Sequence, residues 1–145
     1  MTTQQLAVRP FVAQDERAVV ALWRECGLVR PWNDPVKDIA RKLTVQPELF
    51  LVGTLDGRVV ATIMAGFEGH RGWINYLAVA PACQRRGYAT ALMERAEQGL
   101  LQAGCPKVSL QVRRGNDAAG RFYDSLGFVT DDVVCYGKRL ISDMP

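Results

Sequence analysis

Histidine is almost missing from this chain: His70 is the only one in 145 residues, and nothing stands beside it at a metal-ligand spacing. The four cysteines, Cys26, Cys83, Cys105 and Cys135, are widely separated and form no Cys-x-x-Cys pair, which argues against a metal site or a disulfide framework. They fit small, buried or half-buried hydrophobes in a reducing compartment. No apolar run approaches the roughly 20 residues of a membrane span. The start, Met1-Thr2-Thr3-Gln4-Gln5, lacks the basic and apolar stretches of an export signal. A cytoplasmic protein with no membrane partner is therefore expected. Charge of one sign is also scarce: a net +3 suits a small anionic ligand and falls short of a dedicated nucleic-acid binder, so no nucleic-acid partner is expected. Neither Gly-x-x-x-x-Gly-Lys-Ser/Thr nor a Gly-x-Gly-x-x-Gly after a predicted strand is present, which removes ATP hydrolysis and dinucleotide redox chemistry.

What the chain does have is apolar content, 48% of its residues, enough to close one core but not two, so residues 1–145 are expected to form a single domain. A short strand opens at Val8. Val19, Leu22, Trp23 and Cys26 recur at i, i+3, i+4 and i+7, one face of a helix, with Asp15 and Glu16 in its first turn. Asn33-Asp34-Pro35 announces a second helix, with Val36, Ile39, Ala40 and Leu43 as its buried stripe and Pro47 beyond its end. Residues 49–55 and 58–65 are β-rich and separated by Asp56-Gly57, the signal for a tight antiparallel hairpin. After a polar loop at 66–72, residues 73–79 form a nearly continuous apolar strand suited to a sheet covered on both faces. A helix from Ala89 carries Leu92, Met93, Ala96 and Leu100 and stops at Gly104 and Pro106. Residues 107–112 follow as a strand. Asn116 caps a short helix with the stripe Ala119, Phe122, Tyr123 and Leu126, ended by Gly127, and 133–139 supplies a last strand. The order implies a mixed α/β (α+β) domain.

The turn between the apolar strand and the long helix, Gln84-Arg85-Arg86-Gly87-Tyr88-Ala89, aims unpaired backbone N–H groups at one spot where the helix dipole also favours an anion. Gly87 permits backbone angles closed to other residues, Ala89 keeps the approach open, and Thr90 adds a hydroxyl. Bare spacing leaves an ordinary turn and a phosphate site both open.

Leu77-Ala78-Val79-Ala80-Pro81 followed by Gln84-Arg85-Arg86-Gly87-Tyr88-Ala89 resembles motif A of the GCN5-related N-acetyltransferase (GNAT) superfamily. Asn116 with Phe122-Tyr123-Asp124-Ser125-Leu126-Gly127-Phe128 resembles its motif B. Arg30-Pro31-Trp32-Asn33-Asp34-Pro35, Gly69-His70-Arg71-Gly72 and Gly104-Cys105-Pro106-Lys107 resemble the YpeA-like bacterial subgroup. The resemblance implies a mixed central sheet with a splayed pair of parallel strands flanked by helices. It implies acetyl-CoA as acyl donor, no metal, and transfer of the acetyl group to a primary amine by direct attack in a ternary complex. Gln84, Arg85, Arg86, Gly87, Tyr88, Ala89 and Thr90 would surround the pyrophosphate. The backbone at Leu77 and Val79, together with Asn116, would hold the pantetheine, and Tyr123 would protonate the leaving thiolate. Acceptor contacts would come from the segment Arg30 to Asp34, Trp32 and Asn33 above all, from Glu68 and from the region of Tyr136. The acceptor itself, a small-molecule amine or a peptide amine, is not specified, and a homodimer is a common arrangement among relatives.

Several residues admit two readings. Trp32 either stacks on an acceptor or covers a helix end. Glu68 and His70 are either general bases or solvated loop groups, because Gln111, where some relatives carry a glutamate, cannot take a proton. Arg113-Arg114 either approach the cofactor's 3′-phosphate or are exposed. The rival functions are a non-catalytic acetyl-CoA-binding sensor and a protein N-terminal acetyltransferase.

Overall fold

The computed structural model describes residues 5–144. Its sheet has five strands in the order β1 (Ala7–Pro10), β2 (Phe50–Leu55), β3 (Arg58–Phe67), β4 (Gly72–Val79) and β5 (Val108–Leu110). The first four pair antiparallel and β4 pairs parallel with β5. The hairpin between β2 and β3 forms as expected: Asp56 and Gly57 both take positive φ (49° and 79°), the left-handed pair that matches strand twist.

Two cores result because β2 buries both its faces. Leu51 and Leu55 turn toward α3 (Tyr88–Gln102), meeting Leu92, Met93, Ala96 and Leu100. Phe50 and Val52 turn toward α1 (Glu16–Glu25), meeting Val19, Leu22 and Trp23. Period two in the strand thus meets period 3.6 in a helix on each side.

The second helix, α2 (Pro35–Lys42), begins as expected, with the Asp34 side chain accepting from the Val36 and Lys37 amides. Its buried face differs. Pro35, Ile39 and Lys42 point inward, whereas Val36 and Leu43 are 46% and 41% exposed and Ala40 is also exposed. Lys42 substitutes its aliphatic stem for an apolar residue and donates its ammonium to the Ala65 carbonyl at 2.5 Å. Burial pushes that ammonium's pKa down.

Two further expectations are corrected. The strand at 73–79 is not covered on both faces, since burial alternates along β4 and leaves Trp73 39% exposed. Residues 133–139 join no strand, although Val133, Val134 and Tyr136 are apolar; Tyr136 is 92% exposed. The chain that follows this segment is anchored by side chains. Asp143 accepts from both Arg41 nitrogens (2.5 and 3.2 Å) and the Asp34 amide (2.9 Å), which holds its carboxyl at about 2. Local β propensity at 133–139 does not supply a ladder partner.

Gly72 marks where β4 enters the sheet, with its amide bonded to the Lys107 carbonyl at 2.8 Å. A Cβ there would stand 2.7 Å from the Cys105 Sγ and 3.3 Å from Leu100 Cδ1. Gly72→Ala is expected to destabilise the fold by about 1–3 kcal/mol through overpacking, read from the urea midpoint at constant m-value. An unchanged midpoint would show that the sulfur moves aside freely.

Candidate active site

The site grows out of a defect in β4. Thr62 pairs with Ala78 and Met64 with Asn75, so Ile63 on β3 faces two residues, Tyr76 and Leu77. This is a β-bulge, and Tyr76 accordingly takes φ of 51°, unusual for an aromatic residue. A buried network holds it there. The Tyr76 ring stacks on Trp23 (centroids 3.7 Å apart), Trp23 Nε1 donates to Thr62 Oγ1 at 2.8 Å, and Thr62 Oγ1 donates to the Tyr76 carbonyl at 2.8 Å. The Tyr76 hydroxyl in turn donates to Asp38 Oδ2 at 2.6 Å. Burial first, and that carboxylate second, push the Tyr76 phenol's pKa up.

Just ahead of the bulge, after Ile74, β4 and β5 part. Their parallel register covers only Gly72 with Val108, Trp73 with Ser109 and Ile74 with Leu110. A cleft of about 800 Å³ opens in the gap, floored by Ile74 to Leu77 and walled by Leu110 to Arg113. The α1–α2 loop and α2 close one side, and α4 (Asp117–Ser125) closes the other with Asn116, Ala119 and Tyr123. Asn116 caps α4 as its sequence implies, its side chain accepting from the Ala119 amide at 3.2 Å. Tyr123 packs edge-on against Phe122 and Phe128, and burial pushes its phenol's pKa up. Its hydroxyl holds no hydrogen bond to the other described residues.

The far end of β4 leads through residues 80–86 into α3. Gly87 caps that helix at φ 81°, following Arg85 at φ 65°. The first amide to reach a carbonyl one turn back is that of Ala91, bonded to Gly87 O at 3.0 Å. The amides of Ala89 and Thr90 therefore head the helix, with Arg85 and Arg86 exposed beside them. A Cβ at Gly87 would meet nothing within 4 Å, so the turn is open to an approaching group. Gln84 is turned back, donating to the Val79 carbonyl at 3.1 Å, which also accepts from the Cys26 thiol at 3.4 Å. Unpaired β4 backbone, a helix head with two arginines, and an amide side chain at the start of α4 form a donor set suited to a long ligand with a pyrophosphate.

The expected site residues divide. Leu77, Asn116, Tyr123 and Asn33 share the cleft, and residues 84–90 lie beyond it. Trp32 is exposed at its rim, with the Arg113 guanidinium 5.7 Å over its ring. Glu68 and His70 do not line it. Glu68 accepts from the His70 amide at 2.6 Å and from the Arg71 amide, which pulls its carboxyl below the usual range and makes it a weak base. Arg30, the first residue of the segment Arg30 to Asp34, also lines the cleft, and so do Asp38 and Tyr76, which no motif announces. Their partners are up to 38 residues away in sequence, so only the bulge could have given a signal.

A strand that parts from its parallel neighbour ahead of a glycine-capped helix is the arrangement that the resemblance to the acetyltransferases implies. This chain belongs to the Acetyltransferase (GNAT) family, whose sequence pattern matches residues 8–128. An acetyltransferase of Yersinia enterocolitica is 46% identical over 138 residues, 95% of this chain and 98% of the relative. Among solved structures, AAC(6')-Iy in complex with the bisubstrate analogue CoA-S-monomethyl-acetylneamine superposes with TM-score 0.78 at 16% identity, covering 93% of this chain and 99% of that one. The ribosomal-protein-S18-alanine N-acetyltransferase of Escherichia coli superposes at 0.71 with 24% identity, covering 85% and 77%. These two likenesses concern the fold. Among the described residues no helix is long and apolar enough to cross a membrane.

Proposed function

We propose that the chain, as one domain, is an acetyl-CoA-dependent N-acetyltransferase that moves the acetyl group directly to a primary amine. The observation that carries this is a cleft in which the part of β4 without a β5 partner meets Tyr123, next to the glycine-capped head of α3. Acetyl-CoA, when bound, supplies a thioester: a C–N bond forms as the C–S bond breaks, the amine loses a proton and the thiolate gains one. The amides of Gly87 to Thr90, with Gln84, Arg85 and Arg86, bind the pyrophosphate. Leu77, Val79 and Asn116 orient the pantetheine. Tyr123, kept protonated by burial, stands ready to give its proton to the thiolate. Asn33 and Trp32 border the acceptor's entrance.

Calorimetric titration tests this: micromolar binding of acetyl-CoA, with adenosine alone failing to bind, is the expected result. A folded protein that ignores acetyl-CoA would sink it. A cytoplasmic setting agrees with the four free thiols. A homodimer is supported by the outer edge of β5, which pairs with no strand among the described residues, beside exposed Val133, Val134 and Tyr136. Sedimentation equilibrium should return twice the chain mass; a monomer at all concentrations would remove the dimer.

A further inference from the structure

The charges lining the cleft are lopsided. Four cations, Arg30, Arg41, Lys42 and Arg113, face a single carboxylate, Asp38. Two of the cations are already committed: Arg41 to Asp143 and Asp38, and Lys42 to the Ala65 carbonyl. Arg30 and Arg113 are in no ion pair with the described residues. Arg113 is held over Trp32 at the rim. Arg30 has a buried Nε with no hydrogen-bond partner, an N–H that folding alone leaves unsatisfied. The residues of the phosphate turn, 84–90, are absent from this lining, so the two arginines are not part of that end of the site.

We infer that the acceptor is an amine that also bears a carboxylate, an amino-acid-type small molecule, bound through that carboxylate by Arg30 and Arg113 and through its amine beside Asp38 and Tyr76. A guanidinium presents a planar fork of N–H donors that matches a carboxylate. Asp38 is the one carboxylate in the lining, fixed by Arg41 at 3.1 Å on Oδ1 and by the Tyr76 hydroxyl at 2.6 Å on Oδ2, and the ammonium form would have to share it with Arg41. A polycationic acceptor would meet like charges on three walls, a repulsion that counts against aminoglycosides here.

The inference rests on the acetyl transfer proposed above, and the test separates the two. Acetyl-CoA-loaded protein is offered matched pairs, each an amino acid and its decarboxylated amine, together with kanamycin. The expected kcat/KM favours the carboxylated partner on the order of 10²-fold, because the decarboxylated one leaves the Arg30 guanidinium, with its buried Nε, unpaired. Arg30→Gln and Arg113→Gln should each reduce that ratio to below about 10-fold, with Arg30→Lys keeping more of it than Arg30→Gln and acetyl-CoA affinity unchanged. Calorimetry on CoA-saturated protein should show binding of the N-acetyl amino acid and none of the N-acetyl amine. Equal or faster turnover of decarboxylated amines or kanamycin, no acetylation of any carboxylated amine, or equal losses for both partners in the arginine variants would overturn the inference with acetyl-CoA binding intact. Failure to bind acetyl-CoA would instead bring down the acetyltransferase reading and this one with it.

Discussion

Replacing Tyr123 by phenylalanine should lower turnover about 10- to 10³-fold, the range of lost general-acid help, while leaving acetyl-CoA binding and the urea midpoint close to wild type. The expectation of an intact fold follows from the packing. Phe122 and Phe128 pack on the ring in edge arrangements at 61° and 70°, which a phenylalanine there would keep, and the hydroxyl bonds to none of the other described residues. Its removal therefore orphans no buried partner. Burial raises the phenol above its ordinary value of 10.0, so the protonated form persists through neutral pH and is lost only on the alkaline side of that value. The wild-type rate should accordingly fall at high pH on a limb that Tyr123→Phe lacks. Unaltered turnover in the variant, measured by thiol release with a confirmed acceptor, would remove Tyr123 from the mechanism.

Gly87→Glu should abolish measurable acetyl-CoA binding, a loss above about 10²-fold, in a chain that still folds. Two effects act together there. The residue sits at φ 81°, where a side chain costs about 1–2 kcal/mol, and the new carboxylate would stand at the head of α3, competing for the amides offered to the pyrophosphate. Nothing lies within 4 Å of the added Cβ, so no steric collapse of the core accompanies it. Gly87→Ala separates the terms, since it carries the same backbone strain without charge and should bind several-fold more weakly, not fail. Circular dichroism checks folding, and calorimetry checks binding. Wild-type affinity in Gly87→Glu would place the pyrophosphate elsewhere.

Much of the architecture was legible because it is local. Asp56-Gly57 encodes its own left-handed turn, Asn116 its own cap, and Leu92, Met93, Ala96 and Leu100 bury on α3 at the spacing in which they are written. The face of α2 was misread because the inward stripe is Pro35, Ile39 and Lys42, with a lysine stem inward beside the expected Leu43, and a hydropathy pattern scores the ammonium rather than the stem. The failure at 133–139 is of another kind. A strand needs a partner, and propensity at one segment does not name the edge it will join.

The motif residues of the site were visible in the chain, for Gly87, Asn116 and Tyr123 stand at fixed distances from elements whose ends they mark. Asp38 and Tyr76 were not. They come together only when Trp23, Thr62 and Tyr76 lock the bulge in β4 next to the point where it leaves β5. The sequence by itself determined most of the elements, their order and the glycine-capped turn at 84–90, because backbone angles, capping and periodicity act over a few residues. Only the tertiary structure decided which charges share the cleft, because side chains dozens of residues apart become neighbours through packing, and no spacing along the chain records that encounter.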